Sequence, residues 1–367
     1  MKILWITTRH EPQTGGMARS STRLVNSLRD RGHQVTALPL VSGFPPDPSR
    51  LESILTVDAA RLQEPERIFW EHKRLIEESL LVGFGGNLAG YLAALWARWT
   101  GARSLVLFRG NDFDRTLHNS KAAWMTHFIL QQATTVGAVS REMARRIQTL
   151  RNGPVVFTPN SVDVSQWQPL ARDREQAQRW REERGINGHT LIGVFGELKA
   201  KKGLDLTCRL FTSLGLSERA RLLTVGSLTE SLQTLQSDPA SSYWLHVPFQ
   251  TRETLPVYYA ASDIVFIPSL YDGMPNVLLE ALAAGRIVAA SRAGGMPDVL
   301  EDGNNGFLFE TGDADDAARV LNRILDLDQE SREALSVRAV QSVRERFSPE
   351  QEIRNIEEAL QPSPERG

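Results

Sequence analysis

A short apolar strand that passes through a loop into an amphipathic helix, and on into a second strand, does most to limit the fold of this chain. The pattern opens the sequence and starts afresh past residue 190. Lys2 to Thr8 reads as a buried strand and Arg9 to Gly16 as a loop; the next helix carries Leu24, Val25 and Leu28 on one face. Arg31-Gly32-His33 closes that helix, and Gln34 to Leu40 is strand again. Such a unit implies a parallel sheet whose ligands bind at the carboxyl ends of the strands. Further strands are predicted at Ser104 to Phe108, Thr134 to Ser140 (running into a helix) and Pro154 to Thr158. Asn160 to Leu170 then turns polar, and Arg172 to Arg184 is charged enough for a solvated helix or a linker. Leu191 to Gly196 restarts the alternation, with strands at Arg221 to Val225, Ile264 to Ile267 and Ile287 to Ala290. The expectation is an α/β chain of two Rossmann-like domains, residues 1–168 and 189–346, joined by a linker or charged helix at 169–188. Helices are predicted over Asp313 to Arg346 and Pro349 to Leu360, with a frayed end from Pro362 to Gly367.

Composition allows this and excludes other classes. A chain of 367 residues, 41% hydrophobic and 23% charged, can fill two cores of roughly 150 residues or more. A net charge of −2 gives no excess of positive charge for nucleic acid, and no nucleic-acid partner is expected. One cysteine, Cys208, rules out a disulfide framework and any multi-cysteine metal site, so a reducing compartment is the default. No apolar run approaches the ~20 residues of a membrane span, and Arg9 and His10 interrupt the first strand too early for a signal peptide. A cytoplasmic protein is expected.

A dinucleotide site should show Gly-x-Gly-x-x-Gly after the first strand and an acidic residue closing the second. The chain has Thr14-Gly15-Gly16-Met17 and Leu38-Pro39-Leu40-Val41-Ser42 instead, so an NAD-dependent oxidoreductase is not expected. Gly15 and Gly16 still let backbone approach a phosphate closely, although a tight turn explains them equally well.

The richest stretch is Ser269-Leu270-Tyr271-Asp272-Gly273-Met274-Pro275-Asn276-Val277-Leu278-Leu279-Glu280. It follows an apolar strand and sets two carboxylates eight positions apart across a Gly-x-Pro turn. Pro275 suits a first helical turn, and Gly285 can end the helix in a left-handed cap. Amides around Gly273 to Asn276, with a helix dipole behind them, suit a phosphate or a polar sugar. Were the segment helical from Asp272 onward, the carboxylates would lie roughly 12 Å apart, which only a long ligand such as a nucleotide-sugar could bridge.

Asp272 to Glu280 resembles the E-x7-E signature of retaining glycosyltransferases of the GT-B fold, in particular glycosyltransferase family 4. Ala260-Ala261-Ser262-Asp263, Glu280-Ala281-Leu282-Ala283-Ala284-Gly285, Gly294-Gly295-Met296-Pro297-Asp298 and Glu301-Asp302-Gly303-Asn304-Asn305-Gly306-Phe307-Leu308 match that family in order and spacing. The resemblance implies an acceptor-side N-terminal domain, a donor-side C-terminal domain, a cleft between them, and a final helix, residues 347–361, that returns to the first domain. It also implies metal-independent retaining transfer of a sugar, of hexosyl type, from a nucleotide-diphosphate-sugar, UDP- or GDP-linked, to a hydroxyl of a saccharide, lipid-linked or small-molecule acceptor. No cofactor or metal is expected. Asp272 would hold donor-sugar hydroxyls; Gly273, Met274, Pro275 and Asn276 would reach sugar and phosphate; Glu280 would accept from the ribose diol. Gly15 and Gly16 would lie near the donor as well.

Gly196-Glu197-Leu198-Lys199-Ala200-Lys201-Lys202-Gly203 resembles the family's Gly-Arg-Leu-x-x-x-Lys-Gly loop, which binds the diphosphate. Lys202 keeps the lysine position, but Glu197 reverses the arginine's charge, and an acid there should repel phosphate unless it turns away or pairs with a lysine. Lys199 and Lys201 are candidates to restore the charge, against a plain solvated basic loop. In Phe108-Arg109-Gly110-Asn111-Asp112-Phe113-Asp114-Arg115, Arg109 stands where family members often carry His. Arg109, with Asn111 and Asp112 beside it, is expected to hold a phosphate or an acceptor carboxylate, or else to pair with Asp112 or Asp114. Asp272, Lys202 and Arg109 are thus the expected catalytic set. Pro248 and Phe249 occupy the family's nucleobase region, where a simple turn is the alternative. Tyr91, Trp96, Arg98 and Trp99 on one helix fit either core packing or a peripheral contact at the inner membrane face. A nucleotide-sugar epimerase or sugar phosphorylase of the same fold, and a non-catalytic nucleotide-sugar-binding module, are the rival functions.

Overall fold

The computed structural model describes residues 1–11, 16–40, 65–120, 122–186, 188–229, 232, 233, 236 and 241–361. They form two compact units, Met1–Asn160 with Glu350 onward, and Ser161–Pro349. The boundary falls eight residues before the expected 168. The expected linker, 169–188, is part of the second unit's packing: Arg181 in the helix Ala171–Glu183 donates to the Ala261 and His189 carbonyls and pairs with Asp263 at 3.0 Å. The rest of this helix is mostly exposed, as a solvated charged helix should be, with only Asp173 and Ala177 buried.

The first unit holds six parallel strands in the order β2-β1-β3-β4-β5-β6: β1 Lys2–Thr7, β2 Gln34–Pro39, β3 Leu80–Phe84, β4 Ser104–Phe108, β5 Thr135–Ala138 and β6 Val155–Phe157. Near-continuous runs such as Ile3-Leu4-Trp5-Ile6 are buried because helices cover both faces of a parallel sheet. The helix Gly16–Asp30 turns Leu24, Val25 and Leu28 into this core, as its periodicity requires. The last helix, Pro349–Leu360, adds Ile353, Ile356, Ala359 and Leu360 to the same cluster, so the chain does return to its first domain.

The second unit has the strand order β12-β11-β10-β7-β8-β9, again all parallel: β7 Thr190–Phe195, β8 Ala220–Val225, β9 Trp244–Val247, β10 Ile264–Ile267, β11 Ile287–Ser291 and β12 Phe307–Phe309. Numbered within the unit, this is the doubly wound order 3-2-1-4-5-6 read from β9. The order reverses between β7 and β10, and ligands of such sheets bind where the loops leave the strands at that reversal. The predicted helix Asp313 to Arg346 is two helices, Ala314–Leu325 and Gln329–Arg346, because Asp328 accepts from the Ser331 N–H and starts a new one.

Candidate active site

Three loops meet at the carboxyl ends of β7, β10 and β11. The first, Gly196–Gly203, approaches the second so closely that a Cβ on Gly203, at φ +70°, would lie 2.0 Å from the Pro268 carbonyl oxygen. The Leu270 N–H donates to the Lys201 carbonyl at 2.9 Å and ties the same two loops. The third loop presses from the other side: Gly294, at φ +54°, lies against the Asp272 carbonyl, 1.6 Å from where its Cβ would be, and the Gly295 N–H donates to Gly273. Only glycine lets backbone approach backbone in this way.

This framework brings Lys202 and Asp272 together as an ion pair, with side chains 21% and 17% exposed. Both remain within reach of a ligand. Asp272 to Pro275 is a turn, and the helix runs only from Asn276 to Ala283, so the stretch from Asp272 to Glu280 is not helical throughout. Gly285 takes the expected left-handed conformation at φ +68°. Pro275 stands at the N-cap and no side chain caps the helix start, while Asn276 is half-buried. Gly273, Met274 and Pro275 are buried, Met274 at 2% exposure, so of the expected turn residues only Asp272 and Asn276 are partly open to solvent.

Glu280, also half-buried, accepts from the Tyr259 hydroxyl at 2.9 Å. Tyr259 escaped the sequence reading. It is fully buried, stacks on Phe195 at 4.3 Å and meets Trp167 edge-on at 5.8 Å. A buried phenol needs a hydrogen-bond partner, and that requirement is the signal that Tyr258-Tyr259 carried. Burial first, then the Glu280 charge, pushes the Tyr259 pKa well above its ordinary value, so the hydroxyl stays a donor.

Glu197 pairs with Lys199 and not with Lys202. Its carboxylate meets Lys199 Nζ at 2.7 Å on the surface, the two side chains being 66% and 55% exposed. Lys201 is half-buried, held by its carbonyl contact to Leu270. Pro248 and Phe249 follow β9 directly and are exposed, Phe249 at 71%. Three residues on, Arg252 lays its guanidinium over the Trp167 ring at 5.2 Å, the same ring that meets Tyr259 edge-on.

Two family models divide the chain between them. "Glycosyltransferase Family 4" matches residues 14–166 and "Glycosyl transferases group 1" matches residues 176–341. The chain belongs to glycosyltransferase family 4. A sulfoquinovosyl transferase of Arabidopsis thaliana is 30% identical over 177 residues, 47% of this chain and 33% of that one. A GDP-mannose-dependent alpha-(1-6)-phosphatidylinositol monomannoside mannosyltransferase of Mycolicibacterium smegmatis is 28% identical over 269 residues, 66% of this chain and 67% of that one. The matched region thus spans about a third of the first relative's length. Among solved structures, Anabaena HepE in complex with UDP superposes with a TM-score of 0.77 at 19% identity, covering 98% of this chain and 99% of that one, which shows the GT-B fold.

The first unit of this family 4 chain corrects the expectation for Arg109. Its side chain is 2% exposed and pairs with Glu352, from the last helix, at 2.7 Å. It also donates to the Thr158 carbonyl at 3.0 Å and to Asn160, and lies over the Phe84 ring at 5.5 Å. Arg23 holds the second Glu352 oxygen at 2.6 Å. Arg109 is a clamp within the fold, and its guanidinium pairs with neither Asp112 nor Asp114. Asp114 pairs with Arg146 instead. Asp112 is buried and accepts from the Gly86 N–H at 2.7 Å, the Gly110 N–H at 2.9 Å and the Arg109 backbone N–H at 3.2 Å, so it shapes the loop and does not face an acceptor. Its pKa is raised by burial, against the pull of those N–H donors. Asn111 is exposed at the start of the helix Asp112–Leu117 and makes no capping bond. Gly16 is exposed at the start of its helix, and Gly15 lies outside the described residues.

On the helix Leu88–Thr100, Trp96 is fully buried in the core, Tyr91 is half-buried and held edge-on by Trp124 and Phe128, and Arg98 is exposed. Trp99 remains 41% exposed. No helix among the described residues is long and apolar enough to cross a membrane.

Proposed function

We propose that this chain is a retaining, metal-independent glycosyltransferase that moves a hexose from a nucleotide-diphosphate-sugar to an acceptor hydroxyl. The observation that carries the reading is the partly exposed Lys202–Asp272 pair at the β7/β10 reversal, beside a helix start that no side chain caps. A diphosphate between Lys202 and the backbone N–H groups of Gly273, Met274 and Asn276 meets a full charge and the positive end of a helix dipole. Asp272, released from Lys202, accepts from sugar hydroxyls, and Glu280 accepts from the ribose. The acceptor oxygen attacks the anomeric carbon from the face that the diphosphate leaves. The bond from that carbon to the phosphate oxygen breaks, and the departing phosphate takes the acceptor's proton. Lys202 and the loop amides stabilise the charge developing on the leaving group.

UDP and GDP are the first bases to test, since HepE was solved with UDP and the mycolicibacterial relative is named GDP-mannose-dependent. The first unit takes the acceptor, a saccharide, lipid-linked or small molecule. Its exposed Trp70 and Trp99, both edge-on to Phe69, support a peripheral membrane contact that vesicle co-sedimentation tests.

Thermal shift against UDP- and GDP-sugars should reveal a stabilising donor. Turnover of that donor in the presence of EDTA, with an acceptor glycoside of unchanged anomeric configuration, is the expected result. Loss of turnover in EDTA or inversion at the anomeric carbon would refute the mechanism. Stabilisation without turnover or slow hydrolysis would favour a binding module.

A further inference from the structure

We infer that Tyr259 is a positioning residue: its hydroxyl fixes the Glu280 carboxylate in the orientation that meets both hydroxyls of a nucleotide ribose. The inference rests on the proposed donor site and adds to it a residue outside the Asp272–Glu280 segment. Tyr259 Oη donates to Glu280 Oε2 at 2.9 Å. The phenol cannot swing away, because its ring is fully buried between Phe195, stacked at 4.3 Å and 20°, and Trp167, edge-on at 5.8 Å and 81°. Phe195 ends β7, immediately before the Gly196–Gly203 loop that carries Lys202. One aromatic contact therefore ties the orientation of Glu280 to the strand that positions the lysine. The last torsion of a Glu side chain is broad and poorly restrained by itself. Anchoring one carboxylate oxygen sets the plane in which a side-by-side diol is met, and ordering a site before binding raises affinity.

Tyr259→Phe keeps the ring and its stacking and removes only the hydroxyl. The test measures binding of UDP, GDP and ADP and of their 2′,3′-dideoxy counterparts by thermal shift and titration, and donor KM and kcat. The wild type should prefer the ribonucleotide. In Tyr259→Phe that preference should shrink by about 10-fold, roughly one factor of ten per 1.4 kcal/mol, with donor KM raised and kcat changed less than 2-fold. Glu280→Ala should abolish the preference, and adding Tyr259→Phe to it should change nothing more. A purely structural tyrosine would lower the unliganded Tm and leave the ribose preference intact, which overturns the inference. Should Tyr259→Phe fail to fold, Phe195→Leu, which loosens the ring and keeps the hydroxyl, should show the same loss in weaker form. Glu280→Ala with an undiminished preference, or no nucleotide bound by the wild type, overturns the donor-site reading itself. An altered Glu280→Ala beside an unaltered Tyr259→Phe overturns only the role given to Tyr259.

Discussion

The two units share one architecture, six parallel strands with helices on both faces, yet they treat charge at the strand ends in opposite ways. In the first, Arg109 follows β4, pairs with Glu352 at 2% and 1% exposure, and has its remaining polar contacts inside the unit. In the second, Lys202 and Asp272 follow β7 and β10, pair with each other, and stay 21% and 17% exposed. A buried pair with further internal partners is fixed in place, whereas a partly exposed pair can exchange its partner for a ligand. Burial and the number of other bonds, more than the presence of an Arg or a Lys, separate a structural clamp from a binding site.

The sharpest break of this comparison is Glu352→Ala. It strands Arg109 and partly Arg23 without their carboxylate, and the first unit should lose about 3–5 kcal/mol in urea unfolding. A loss no larger than that of a surface pair would show that Arg109 is not a clamp. Lys202→Ala, by contrast, should barely alter unfolding and should weaken nucleoside-diphosphate binding by roughly 10- to 100-fold, the worth of a charged hydrogen bond. Unchanged affinity by calorimetry would move the diphosphate elsewhere. Gly294→Ala forces a side chain onto the Asp272 carbonyl in a left-handed conformation and should cost on the order of 1–3 kcal/mol, with weakened donor binding beside it. Glu197→Ala should change stability by less than about 1 kcal/mol, because its bond to Lys199 is exposed. Freed Lys199 should make diphosphate binding slightly tighter at low salt; weaker binding would mean that the acid has a purpose at the donor.

The smallest effect is a pH signature of the last helix. Hydrogen bonding to Arg31, then to His33, holds the Glu357 carboxylate below its ordinary pKa. A carboxylate with a depressed folded pKa adds stability above its unfolded value of about 4.3, and that stability fades as pH falls through the folded value. Glu357→Gln should therefore unfold earlier than the wild type at pH 7, with the gap closing toward pH 3. A gap constant across that range would show that the pairing adds nothing on folding.

Much of the second unit was legible because its signals are local. Gly196 to Gly203 and Asp272 to Glu280 each lie within a single strand-to-helix passage, where turn chemistry and helix starts act over a few residues. The first unit was less so. Leu80–Phe84 went unread there, as did Phe307–Phe309 in the second unit, and both are strands paired with remote neighbours. Arg109 stood beside two aspartates and was expected to use them or a ligand, whereas its partner lies 243 residues away. Tyr259 and Glu280, 21 residues apart, sit on different helices, and no spacing rule joins them.

The order of residues by itself determined the parallel α/β class, the repeat of the pattern, the family, and which carboxylates and lysine flank the turn at Asp272. Those features follow from periodicity, backbone limits at glycine and proline, and short-range motifs. Tertiary structure alone decided which charges are spent within the fold. It buried Arg109 against Glu352, turned Glu197 toward Lys199 and set Tyr259 on Glu280, because the cost of burying a charge and the partner that offsets it depend on elements far apart in the chain.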